Sequence, residues 1–146
     1  MDRVEAIKNC YLFRGVNEDD LAVISAMAEP KIFIAGDLLY DSGSDGDAIY
    51  LIVIGNVELR RAGIEAPIAI IGDGQILGEL AFFHPAKRSV AALVREPTHV
   101  LKISFERLTQ LLGERPTLAL NVCRNGCGAF AKYLQDLTAE VSHRYV

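Results

Sequence analysis

Residues 76–93 read ILGELAFFHPAKRSVAAL, setting one glycine, Gly78, one carboxylate, Glu79, and an Arg88-Ser89 pair in otherwise apolar sequence. Gly78 lets the backbone approach another group closely, because it has no Cβ. Residues 80–83 are long enough for one helical turn, whose first N–H groups attract an anion. Arg88 supplies a planar cationic fork suited to a phosphate. Glu79 would repel that phosphate unless it is aimed at a neighbouring hydroxyl donor, and a sugar hydroxyl is such a donor. The stretch therefore reads as a cradle for a phosphate and a ribose.

On both sides of the cradle the chain consists of short β-branched runs separated by Gly, Asp and Pro. KIFIA, LLY, AIYLIVIG and NVELRR come early, and PIAII, SVAALV and HVLKI complete the region 31–103. Such spacing predicts about eight short antiparallel strands arranged as a jelly roll or sandwich. Before them, Asn17 precedes Glu18-Asp19-Asp20 and the apolar Leu21, Ile24 and Ala28, which predicts a capped helix with YLFRGV as its lead-in. After them, residues 105–112 have a helical apolar pattern, and Pro116 opens a long helix towards Val141. Cys123, Cys127, Phe130, Leu134, Leu137 and Val141 alternate spacings of four and three along that helix. This is a coiled-coil seam of about two and a half heptads, which predicts a homodimer through the C-terminal helix, with packing of the same face on the chain's own strands as the alternative. Gly126 and Gly128 interrupt the helix and imply close packing or a hinge.

Composition narrows the function classes. The 146 residues are 51% hydrophobic and 23% charged, with 15 Lys and Arg against 19 Asp and Glu for a net charge of −4. That fits one domain, with helices over 1–30, a β region over 31–103 and helices over 104–146, and it gives no basic footprint for nucleic acid. No run is long and apolar enough for a membrane span and the start has no signal-peptide core, so a cytoplasmic protein is expected. The three cysteines suit reduced thiols, with Cys123 and Cys127 as small apolar fillers.

Gly78-Glu79-Leu80-Ala81 followed by Arg88-Ser89 resembles the phosphate-binding cassette of the cyclic nucleotide-binding domain family, which includes catabolite activators, protein kinase A regulatory subunits and nucleotide-gated channels. Phe13, Gly15, Phe33, Gly36-Asp37, Tyr40, Gly46-Asp47, Tyr50 and Gly55 extend the likeness over most of the chain. The resemblance implies a mainly β fold: an eight-stranded antiparallel jelly-roll barrel with an N-terminal helix and two C-terminal helices, the last covering the nucleotide. It implies that Arg88 pairs with the cyclic phosphate and that Ser89 adds a hydroxyl or backbone N–H. It further implies that Gly78, Leu80 and Ala81 offer backbone contacts and that Glu79 accepts from the ribose 2′-hydroxyl. Ala91 stands where some relatives have a Thr or Ser that favours cyclic GMP (cGMP), which tilts the expectation to cyclic AMP (cAMP). Tyr133 falls where relatives place base contacts on the last helix, so it is the candidate to stack on the purine.

Other constellations are weaker. Residues 41–46, DSGSDG, superficially suggest a calcium loop, but Gly43 takes a ligand position and Ile52 stands where a bidentate Glu is needed. His84, His99 and His143 match no metal-ligand spacing, and no nucleophile elbow or Walker loop occurs. The expected function is therefore a non-enzymatic sensor of a cyclic purine nucleotide whose C-terminal helix moves on binding. The alternatives are an interaction module of the same fold with weak or no binding, or a fragment of a transcription regulator or channel.

Overall fold

The computed structural model describes residues 2–145, with side chains described through residue 141. Eight strands occupy the middle of the chain: β1 (Glu29–Phe33), β2 (Leu38–Tyr40), β3 (Ala48–Ile54), β4 (Val57–Arg60), β5 (Ala69–Ile71), β6 (Ile76–Leu77), β7 (Ala91–Val94) and β8 (Thr98–Ser104). They form two four-stranded antiparallel sheets, ordered β1-β8-β3-β6 and β2-β7-β4-β5. The eight-stranded barrel expected from the resemblance is not closed, because among the described residues no ladder joins one sheet to the other. The edge strands explain this. β6 has two residues and β2 has three, and edge strand β1 carries Pro30, which has no N–H to donate.

The run AIYLIVI shows no polar alternation because both faces of β3 are buried. Ile49 and Leu51 join Leu101 and Ile103 of β8 in a core shared with the helices, where Leu12, Phe13, Ile24 and Leu108 are fully buried. Ala48, Tyr50 and Ile52 point the other way, meeting Val57, Ala92 and Val94 of the second sheet. Full burial of each large aliphatic side chain is worth about 1.5–3 kcal/mol, so these two layers supply most of the driving force.

The helices wrap the outer face of the first sheet. α1 (Arg3–Asn9) and a 3-10 turn at Tyr11–Phe13 precede α2 (Glu18–Met27), in the region 1–30 where the sequence suggested helices but bounded only α2 and its lead-in. α1 is two turns long and buries just Ala6 and Ile7, too little apolar periodicity to announce itself. Asn17 caps α2, its Oδ1 accepting from the Asp20 N–H at 2.8 Å. A single-turn helix α3 (Leu80–Phe83) follows β6, and α4 (Phe105–Glu114) and α5 (Pro116–Tyr145) close the chain.

α5 meets the body through Leu118, Val122 and Gly126, which are buried. Asn125 fastens it, donating to the carbonyls of Leu12 and Arg14, each at 2.9 Å. The body-facing stripe is therefore displaced from the seam read in the sequence. Cys123, Cys127, Leu134, Leu137 and Val141 are exposed, so the alternative that this face packs on the chain's own strands fails for them, and the two cysteines are not buried fillers. Phe130 alone among the seam residues is half-buried against the body.

Candidate functional site

Where β6 ends, the chain turns through Gly78 at φ +86°, in the left-handed region that side chains disfavour. A Cβ there would lie 2.9 Å from Arg88 Nη1 and 3.0 Å from the Ala48 carbonyl oxygen, so glycine also makes room for the arginine. Glu79 is the N-cap of α3, and α3 runs directly into the loop that returns to Arg88. The loop is anchored by residues 43–45, within the DSGSDG stretch. The Arg88 N–H donates to the Ser44 carbonyl at 2.7 Å and the Gly43 N–H to the Arg88 carbonyl at 2.8 Å. Lys87 and Asp45 add a 2.9 Å ion pair between exposed side chains. Lys87 thus holds the loop, and residues 41–46 brace the arginine's backbone.

Arg88 is 6% exposed, and its guanidinium donates from Nη1 to the Gly78 carbonyl at 2.9 Å and from Nη2 to the Ala48 carbonyl at 2.8 Å. It stacks 4.2 Å from the Tyr40 ring centroid and 5.7 Å from that of Phe105. Its Nε is buried without a hydrogen-bond partner among the described residues. Leaving a buried charged donor unmet is costly, so an anion reaching this nitrogen would be strongly favoured. The residues present fit a phosphate.

Gly78, Glu79, Leu80, Ala81, Arg88 and Ser89 all line one cavity of about 530 Å³, a size suited to a small organic ligand. Its remaining wall is largely apolar, with Leu59, Ile71, Ile76, Val90, Phe83 and Phe130. Two residues expected from the resemblance are placed elsewhere. Ala91 lies in β7 opposite Arg60 and Tyr133 is 64% exposed, and neither lines the cavity. Phe130, one helical turn before Leu134, takes the position on α5 that faces the cavity, with its ring edge-on to Phe83 at 5.5 Å. Gly126 is where this contact seats, since a Cβ there would meet Phe83 Cζ at 2.5 Å. Close packing explains Gly126, whereas Gly128 has nothing within 4 Å.

Tyr40 and Phe130 are the site residues sequence reasoning missed. Tyr40 is 48 positions from Arg88 and has no local pattern tying them together. Among the described residues no group of three or more His, Cys, Asp or Glu could hold a metal ion, and the side chain of His143 lies outside the described residues.

Burial raises the Glu79 carboxyl above its ordinary value, while its own backbone N–H and Arg88 pull it down. Burial likewise pushes the Tyr40 phenol up to about 12, against the pull of Arg88. Because the folded state raises the Glu79 value, the stability this group contributes is present below the ordinary carboxyl range and is lost as pH rises through the raised value. Glu79→Gln should therefore raise the melting temperature of the free protein at neutral pH. If Glu79 accepts a ligand hydroxyl, Glu79→Ala should weaken that ligand by about 1–3 kcal/mol. Thermal melts and calorimetric titrations measure the two effects, and a lowered melt or an unchanged affinity would contradict this account of the carboxylate.

A family model for the cyclic nucleotide-binding domain matches residues 30–115. A CRP-like cAMP-activated global transcriptional regulator of Mycobacterium tuberculosis is 27% identical over 123 residues, covering 82% of this chain and 55% of that protein. A cAMP-dependent protein kinase regulatory subunit of Blastocladiella emersonii is 31% identical over 115 residues, covering 73% of this chain and 28% of that protein. The chain thus spans about half of the first relative and about a quarter of the second. The N-terminal domain of a transcriptional regulator from Streptomyces coelicolor A3(2) superposes with a TM-score of 0.79 at 25% identity, over 88% of this chain and 94% of that one. The match runs from β1 to the end of α4 and includes every residue of the cassette between Gly78 and Ser89, so the chain belongs to the cyclic nucleotide-binding domain family.

Proposed function

We propose that the chain is a non-catalytic, cytoplasmic sensor module that binds cyclic AMP in the cavity walled by the cassette and Phe130. The unmet Nε of buried Arg88 is the observation that carries this reading. In the proposed complex Arg88 meets the phosphate while its Nη groups keep the Gly78 and Ala48 carbonyls, Ser89 adds a donor beside it, and Glu79 accepts from the ribose 2′-hydroxyl. Leu80 and Ala81 present backbone to the same edge of the sugar phosphate. The purine rests on the apolar wall, with Phe130 as the stacking ring in place of Tyr133. Cyclic AMP is favoured over cyclic GMP because that wall has few polar groups to meet a guanine amino group, and because two relatives are named for cyclic AMP.

The C-terminal helix is proposed as the output. Phe130 touches Phe83, Phe83 touches Phe82, and Phe82 touches Phe105, with ring centroids 5.4–5.5 Å apart in each pair. Movement of α3 on binding would reach α5 through these rings, provided the ligand prefers one helix arrangement over the other. The exposed seam of Leu134, Leu137 and Val141 supports a homodimer through α5. No helix among the described residues is long and apolar enough to cross a membrane. Calorimetric titration of the folded chain with cyclic AMP and cyclic GMP tests the reading. Saturable heat with cyclic AMP, and weaker binding of cyclic GMP, is expected; no heat with either would favour an interaction module that has lost its ligand.

A further inference from the structure

A second cleft, of about 320 Å³, lies between the 3-10 turn and α5, away from the cassette. Arg14, Arg124 and Lys132 line it together with Tyr11 and Gly128, and the Asn125 clamp forms its floor. In a chain of net charge −4, this is a local surplus of three cations. None of the ion pairs among the described residues involves any of the three.

Their arrangement follows from helix geometry. Positions 124, 128 and 132 are four apart and stand in one row on α5, so Gly128 leaves a notch between the two cations above and below it. Glycine is among the least favourable residues in a helix interior, and no neighbouring atom among the described residues requires it here, since a Cβ would meet nothing within 4 Å. Gly128 leaves open space in which a group could approach the helix backbone. Tyr11, from the 3-10 turn, stands in the same lining.

We infer that this cleft is a second anion site, taking a small molecule with two linked phosphates. Three cations suit the negative charge of a diphosphate, whether free or carried by a nucleoside. Because the Asn125 clamp and the Gly126–Phe83 contact are one residue apart on α5, a ligand here would hold the same turn of helix that faces the cassette cavity.

The test uses the full chain, isotope-labelled for amide NMR, titrated with inorganic pyrophosphate and separately with ADP at constant ionic strength. Saturable shifts are expected at residues 11–14 and 124–132. The Arg124→Ala and Lys132→Ala variants should each bind about tenfold more weakly, and Gly128→Asp, which puts a carboxylate in the notch of an exposed helix face, should bind neither probe. Tighter binding of ADP than of pyrophosphate would identify the nucleoside form, and the reverse the free form. Shifts confined to residues 78–89, shifts that grow linearly without saturating, or a Gly128→Asp variant that binds undiminished would overturn the proposal. So would a Gly128→Asp variant that keeps pyrophosphate binding but converts a dimer to a monomer, because the notch would then belong to a second copy.

Discussion

Arg88→Ala is expected to weaken cyclic AMP by about 3 kcal/mol or more, over roughly a hundredfold in Kd. The size of the loss follows from burial. The guanidinium lies inside the wall, stacked on Tyr40, with two of its donors committed to the Gly78 and Ala48 carbonyls and Nε unmet. Removing it takes away the positive charge that, in the proposed complex, faces the phosphate, and strands two backbone carbonyls, each costing about 1–3 kcal/mol of stability. The binding measurement therefore belongs below the melting temperature of the variant, with circular dichroism to confirm folding. Arg88→Lys supplies the second arm. It keeps the charge, but a single ammonium cannot serve two carbonyls and a phosphate in one planar fork, so it should recover little of the affinity. A folded Arg88→Ala chain that binds cyclic AMP as tightly as the parent would remove the phosphate assignment.

Gly126→Val should destabilise the fold by about 3 kcal/mol, because the added carbon drives into the Phe83 ring and the β-branched side chain cannot yield within a helix. Its Cβ would lie within 3.0 Å of three atoms of that ring, and the ring is fixed on its other sides by Phe82 and Phe130. Relief requires either α5 to lift or Phe83 to swing into the cavity it lines. Both routes disturb the proposed base wall, so cyclic AMP affinity should fall together with stability. Gly128→Ala is the control, since its Cβ meets open space and the helix gains about 1 kcal/mol. Urea unfolding of the three chains measures the difference. Equal midpoints for Gly126→Val and the parent would show that the helix does not seat on Phe83.

The strand pattern is legible in the sequence because period and punctuation are local: seven of the eight strands correspond to the β-branched runs, and β6 lies inside the cassette stretch itself. The cassette is legible for the same reason. Residues 78–81 and 88–89 sit within twelve positions, and the chain brings all six to one cavity. Closure of a barrel is not legible, since it depends on how far short edge strands such as β6 can pair. Nor is the orientation of α5. The four-three alternation marks an apolar seam, but the stripe that meets the body includes Gly126, Asn125 and Ala129, whose small or polar side chains leave no hydrophobic signature. The result is a rotation of the helix relative to that reading, which carries Tyr133 into solvent and Phe130 to the cavity. The Tyr40 stack and the Ala48 carbonyl reach Arg88 from strands 40 and more positions away, contacts that only the folded chain can make.

A crystal structure of the chain grown with cyclic AMP tests the pairing at the centre of this account. The phosphate oxygens should lie about 2.7–2.9 Å from Arg88 nitrogens, Nε among them, with the ribose 2′-hydroxyl on Glu79. Density for the nucleotide elsewhere, with Arg88 still bonded only to the Gly78 and Ala48 carbonyls, would contradict it.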